Sequence, residues 1–241
     1  MIDILVFGAH PDDAEIFMGG TILYLKTLGY CVSVCDLSMG EAGTYGSGES
    51  RQEELRRASV MMGLDDRITL EMEDGNIRND RENRIKIIKV IRAVRPKIVF
   101  SFSDKLIRHP DHKYCGEMVR ECCFLAGLEK IKTENTPHRP DSYIEFPELM
   151  ITRRPDFIID ITPYFEKKKD VIRCYGSQVT GEGEDDSGTK TLIRSNNFWE
   201  ILDARALQAG AMGGVRYGEP FYSPNPPLIP DPVKSFSREI V

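Results

Sequence analysis

Histidine is scarce in this chain. There are 4 in 241 residues, and three of them, His10, His109 and His112, fall in two short motifs. Long apolar runs are missing too. No stretch approaches the about 18 residues that a membrane-spanning helix needs. The apolar start is short and has no basic segment before it, so no signal peptide is expected. Basic charge is not in excess: the formal net charge is −6. That argues against a nucleic acid, whose phosphates call for a basic field, so neither a nucleic acid nor a membrane is expected as a partner. The six cysteines form no C-x-x-C pair, and several lie in apolar patterns. They read as small buried hydrophobes in a reducing compartment, which points to a cytoplasmic protein without a cysteine metal site. What is present, 41% hydrophobic and 29% charged residues, is the make-up of a globular chain able to bury a sizeable core. No repeat or composition break divides it, and residues 1–241 read as a single domain.

Strand and helix signals alternate closely, which predicts an α/β fold with a parallel sheet. Strands are expected at 2–8, 31–37, 68–70, 97–102, 142–146 and 155–161. Helices are expected at about 19–28, 50–62, 82–94, 111–126, 163–174 and 197–212. Ser50 and Glu53 have the form of a capping box, and Arg51 and Glu54 fall in the turn that follows. Residues 38–50 hold four glycines, which exclude regular structure; they form a lid or substrate loop, or a plain long connection. Residues 179–191, acidic and Gly-rich, read as a mobile surface loop. The tail at 220–232 carries six of the 14 prolines and is expected to be extended.

Chemistry gathers at two predicted strand ends. His10-Pro11-Asp12-Asp13 follows the first strand, and Arg108-His109-Pro110-Asp111-His112 follows the fourth. Open α/β sheets place their sites at such ends. A histidine and a carboxylate at short spacing suit a borderline metal such as Zn²⁺. A second carboxylate beside them could take a proton from an activated water. Pro110 suits a first helical position and Asp111 the positive end of that helix.

Together these motifs resemble the LmbE-like (PIG-L) zinc-dependent N-acetylglucosamine deacetylases, most of all their bacillithiol-biosynthesis branch. Arg95-Pro96, residues 155–161, Tyr175-Gly176-Ser177-Gln178 and Arg216-Tyr217-Gly218-Glu219 fall in the order of that family. The resemblance implies a Rossmann-like, mostly parallel sheet flanked by helices. It implies one Zn²⁺ per chain (other divalent metals being possible) held by His10, Asp13 and His112. It makes Asp12 the general base. His109 becomes the group that stabilises the oxyanion or protonates the leaving amine, with Asp111 orienting His109 and favouring its imidazolium. The implied substrate is N-acetylglucosaminyl malate, whose carboxylates would meet Arg51, Arg108 and Arg139. A homo-oligomer, trimer or hexamer, is implied as well. The sequence departs from the family at Phe17, where glycine is usual, at Leu106-Ile107, at the turn Glu73-Asp74-Gly75-Asn76 and in the acidity of 179–191. These departures spare the zinc motifs and bear on the aglycone.

Three other readings compete. One is the same chemistry on another N-acyl sugar or small amide. A nucleotide-binding module would want a G-x-G-x-x-G turn, where the chain has Gly8-Ala9-His10-Pro11-Asp12-Asp13 and carboxylates that repel a pyrophosphate. A metal-binding scaffold without catalysis would have no need of Asp12.

Overall fold

In the computed structural model, β1 (Ile4–Gly8) reads Ile-Leu-Val-Phe-Gly and is buried along its whole length. β2 (Val32–Ser38) is buried throughout as well. Strands buried on both faces are what a parallel sheet covered on both sides gives, and here β2 buries Ser33, Asp36 and Ser38 along with its apolar residues. The structure describes residues 2–43, 48–103, 108–179, 191–195 and 197–237. Three further strands, β3 (Asp66–Met72), β4 (Ile98–Phe102) and β5 (Ser142–Phe146), complete a five-stranded sheet of order β3-β2-β1-β4-β5. All four pairings are parallel. Ile4 stands beside both Val32 and Ile98, so the strands keep step and their C-terminal ends form one edge. The order reverses between β1 and β4, and the crevice at that reversal is where such sheets bind ligands.

Two groups of helices flank the sheet. α1 (Asp13–Thr27) contacts α2 (Gly48–Met62) and α5 (Phe165–Arg173), and α3 (Arg81–Val94) contacts α4 (Pro110–Leu125). α3 buries Ile87, Ile88, Val90 and Ile91 along one stripe, and its first turn is capped by Asp80, whose carboxylate accepts the Asn83 N–H at 2.9 Å. α6 (Phe198–Gly213) lies against an antiparallel ribbon of β6 (Phe157–Asp160) and β7 (Gly218–Phe221).

α1 differs from expectation in a way that matters. It begins at Asp13, not near Gly19, and breaks at Met18 (φ −145°, ψ 21°). Beyond the break, the Gly20 and Thr21 N–H groups donate to the Glu219 carboxylate at 3.1 and 2.7 Å. Lys168 donates to the same carboxylate at 2.6 Å, with both side chains fully buried. A side chain inserted into the backbone ladder accounts for the kink, and the extra hydrogen bonds satisfy a buried ion pair that desolvation alone would penalise. The break allows the first turn of α1 to lie along the sheet edge as part of the site.

Smaller differences follow the same logic. β3 is longer than residues 68–70, because pairing with β2 extends a weak apolar signal at both ends. The tail is not simply extended: β7 starts it, and a short α7 (Pro232–Phe236) lies near its end. Most of the acidic 179–191 segment and residues 44–47 of the Gly-rich loop lie outside the described residues, as do Leu106 and Ile107. All six cysteines are free, and five of them are buried. Among the described residues no helix is long and apolar enough to cross a membrane.

Candidate metal centre

Every strand of the main sheet delivers residues to the same edge. His10 to Asp13 follow β1, Gly40 to Gly43 follow β2, Asp74 follows β3, Arg108 to His112 follow β4, and Glu148 follows β5. The turn after β1 closes on itself. Asp13 Oδ2 accepts the backbone N–H of Ala9 at 2.9 Å and of His10 at 2.8 Å. β1 has to end in glycine there, since a Cβ on Gly8 would stand 3.0 Å from Asp13 Cβ. The closure forces Asp12 into the left-handed region (φ 115°), a conformation shared among non-glycine described residues only with Arg95. Such a backbone costs about 1–3 kcal/mol and is typical of functional turns.

Three donors converge on this turn. Asp13 Oδ1 lies 3.2 Å from His112 Nε2, and Asp13 Oδ2 lies 3.6 Å from His10 Nδ1. The donor atoms of His10, Asp13 and His112 all lie within 4.8 Å of one another. Each histidine turns its other nitrogen to a carboxylate. His10 Nε2 is 3.0 Å from Asp74 Oδ1 and 3.2 Å from Asp111 Oδ2; His112 Nδ1 is 3.5 Å from Glu148 Oε1. Carboxylates behind ligating imidazoles fix their orientation and raise their basicity. Two imidazoles, one carboxylate and an adjoining cavity fit a catalytic Zn²⁺, which keeps an open position. A second group with close donor atoms, His10, His109 and Asp111, shares His10, whose Nε2 Asp111 and Asp74 already engage.

The electrostatics sort the carboxyl groups. Burial, and then the charge of Asp13, push Asp12 up to about 8. Asp13 is buried too, yet His112 and His10 hold it well below the usual carboxylate range. Among the described residues the Asp12 carboxylate makes no hydrogen bond, and it lines the cavity. Burial disfavours the imidazolium of His109, and the neighbouring His10 and His112 lower it further.

The four basic and acidic residues expected to assist these groups fare differently. Asp111 does not hold His109 through its carboxylate. Its carboxylate faces His10 and accepts the N–H groups of Gly75 (2.8 Å) and Ile77 (3.3 Å). The Asp111 backbone N–H instead donates to His109 Nδ1 at 3.3 Å, because His109 is the N-cap of α4. The assigned tautomer of neutral His109 therefore carries its proton on Nε2. The charge of Asp111 favours the His109 imidazolium, but burial and the neighbouring His10 and His112 outweigh it. Arg51 reaches the cavity and donates to the Gly40 carbonyl. Arg108 sits half-exposed at its rim, 4.0 Å from Glu148. Arg139 is elsewhere. It precedes β5, at the N-terminal edge of the sheet, and its guanidinium covers Phe124 at 4.4 Å from the ring centroid. The fourth histidine, His138, lies beside it and bonds the Pro96 carbonyl at 2.7 Å. Sequence reasoning assigned no role to Asp74, Glu148, Gln178 and Arg194, of which all but Glu148 line the cavity. The strand-end rule that found His10 and His109 points equally to Asp74 and Glu148. Gln178 ends the Tyr175-Gly176-Ser177-Gln178 motif, which could have pointed to it, and no local pattern marks Arg194. The cavity is about 290 Å³.

Fold and site together define an α/β protein with a His/carboxylate donor cluster at its switch point. The chain belongs to the PIG-L family, described as GlcNAc-PI de-N-acetylase, whose family model matches residues 5–123. It is 30% identical to a diacetylchitobiose deacetylase of Thermococcus kodakarensis, over 90% of this chain and 80% of that one. It is 29% identical to a 4-oxalmesaconate hydratase of Pseudomonas putida, over 89% and 82%. It is 26% identical to a probable N-acetyl-α-D-glucosaminyl L-malate deacetylase of Bacillus cereus, over 81% and 96%. A crystal structure of a conserved protein of Thermus thermophilus superposes with a TM-score of 0.86 at 32% identity, covering 99% of this chain and 100% of that one.

Proposed function

We propose that this chain is a metal-dependent N-deacetylase that hydrolyses the acetamide of an N-acetylglucosamine conjugate, with N-acetylglucosaminyl malate as its substrate. The observation that carries the reading is the pairing of a three-donor cluster, His10, Asp13 and His112, with a carboxylate beside it, Asp12, that the cluster does not use. A divalent metal there would supply a Lewis acid for the amide carbonyl and acidify a water. Asp12 takes the proton of the attacking water. It then passes that proton to the leaving amine. His109 presents an Nε2–H to the developing oxyanion as a neutral donor, since Nδ1 is occupied by the Asp111 N–H. Asp74, Asp111 and Glu148 keep His10 and His112 in place.

The anionic aglycone is supported by the three arginines around the cavity, Arg51, Arg108 and Arg194. Guanidinium groups suit carboxylates through paired hydrogen bonds. Arg194 takes the part that the sequence suggested for Arg139. The test is to load the protein with Zn²⁺ and follow free amine from N-acetylglucosaminyl malate, diacetylchitobiose and N-acetylglucosamine. Release from the malate conjugate with at least about 10-fold higher kcat/KM, reduced in Arg108→Ala and Arg194→Ala but not in Arg139→Ala, upholds the reading. Preference for diacetylchitobiose keeps the deacetylase and discards the malate. Hydration of 4-oxalmesaconate without amine release from any of the three overturns both.

A further inference from the structure

The polar groups of the cavity account for hydrolysis, but its apolar wall is still without a role. Ile16, Phe17, Leu149, Leu192 and Ile193 line the cavity that also holds His112. The Phe17 ring meets the His112 ring edge-on, with centroids 5.9 Å apart and planes at 77°. Behind it stand Phe102, at 5.1 Å, and Phe146, stacked at 6.1 Å. Phe17 is 3% exposed and Leu149 8%, so neither side chain has solvent to swing into. Phe17 is also fixed from the backbone side. It precedes the break at Met18, and Arg205 reaches its carbonyl at 3.5 Å with the guanidinium 5.7 Å from its ring.

A scissile amide has two substituents of opposite character. The sugar carries hydroxyls and, in a conjugate, charge; it belongs with the polar rim where Arg51, Arg108 and Arg194 lie. The acyl group is apolar, and the apolar lining residue in contact with His112 is Phe17, with Leu149 lining the same cavity. We propose that Phe17, with Leu149, is the specificity-determining wall of the acyl subsite and restricts this enzyme to acetyl groups. The inference rests on the deacetylase reading above. A methyl group fits against a packed aromatic ring. A longer chain has to displace a ring that two further rings back, and well-packed interiors yield poorly to added methylenes. Discrimination of about 10- to 200-fold per methylene is what such a pocket delivers.

The test compares kcat/KM for N-acetyl-, N-propionyl- and N-butyrylglucosamine in the zinc-loaded wild type, Phe17→Ala and Leu149→Ala. The wild type is expected to lose at least about 10-fold from acetyl to butyryl. In Phe17→Ala the butyryl-to-acetyl ratio should rise by at least about 10-fold, even where both absolute rates fall. Because the readout is a ratio within one preparation, lost folded protein or lost metal cancels from it. Leu149→Ala should move the ratio in the same direction and serves if Phe17→Ala does not fold. A ratio that stays at the wild-type value in the folded variants, or a wild type that accepts butyryl as readily as acetyl, overturns the proposal. Should the wild type hydrolyse none of the three, the deacetylase reading fails only if the malate conjugate and diacetylchitobiose release no amine either. Calorimetric affinities for N-acetyl- and N-butyrylglucosamine then judge the wall: tighter acetyl binding that Phe17→Ala abolishes upholds it, and equal wild-type affinities overturn it.

Discussion

Two buried clusters of charge lie one strand apart and obey opposite rules. In the first, Arg67 on β3 grips Asp36 on β2 with two hydrogen bonds of 2.8 and 3.0 Å and reaches Glu15 on α1 at 2.5 Å. Tyr175 donates its hydroxyl to the same Glu15 oxygen at 2.8 Å. In the second, Asp12, Asp13, Asp74, Asp111 and Glu148 crowd around two imidazoles, with Arg51 the cation on the Asp12 side. Burial acts on both. Where Arg67 holds Asp36 the carboxyl is pushed up to about 6; where Asp13 stands beside Asp12 it reaches about 8. Asp13 and Glu15 share the first turn of α1, one aimed at each cluster. The difference teaches which cluster is scaffold. In the first, one guanidinium engages both carboxylates and leaves only Glu15 Oε2 without a hydrogen bond among the described residues. A cluster with surplus carboxylate and two imidazoles awaits a cation from outside.

The largest way to break this comparison is Asp13→Ala. It removes a proposed ligand and also the acceptor of the Ala9 and His10 N–H groups. Metal content, about one per chain in the wild type by the catalytic-zinc pattern, should fall to none by elemental analysis, and amine release should vanish with it. Full metal content in this variant would place the cation elsewhere. Asp12→Asn separates chemistry from binding: kcat should drop by about 10²–10⁴-fold, the usual worth of a general base, with the metal retained. Arg67→Met tests the scaffold. It leaves Asp36 and Glu15 buried without their cation and should cost about 3–5 kcal/mol in urea unfolding, while the folded fraction keeps its metal. Loss of metal in step with stability would show that the two clusters are one.

The site was legible in the sequence wherever its residues are local. His10 to Asp13 and His109 to His112 are each a single turn, and the alternation of strand and helix sets both turns at one sheet edge. Partners that arrive from distant segments left no such mark. Glu148 reaches His112 only because β5 pairs with β4 in register, Phe102 beside Phe146. Arg139 was assigned to the site on resemblance, yet it precedes a strand that it would have to follow, and strand direction alone moves it to the far edge. The early start of α1 was hidden for a similar reason. The helix is broken, and the group that stabilises the break, Glu219, lies about 200 residues downstream. The fold class was legible because short strand and helix signals alternate along the chain, a pattern that needs no distant partner.

The smallest effect sharpens the comparison from the opposite edge of the sheet, where carboxylates are paired and partly wet. Asp65, just before β3, accepts the Val32 N–H at 2.7 Å and a hydrogen bond from Lys26 at the end of α1. Burial raises its pKa, but Lys26 and the Val32 N–H outweigh burial and leave it below 3.8. The folded protein thus holds this proton less tightly than the unfolded chain does. Its contribution is fully present above the unfolded value and disappears as the pH falls through the folded one, so stability should climb with pH across that acid window and then level off. With the side chain 34% exposed, the pair contributes about 0.2–1 kcal/mol after solvent screening. Asp65→Asn should flatten the acid limb of urea midpoints measured from about pH 3 to pH 5 and leave metal content untouched. An acid limb as steep in the variant as in the wild type would mean that Lys26 and Val32 do nothing for this carboxylate that water does not.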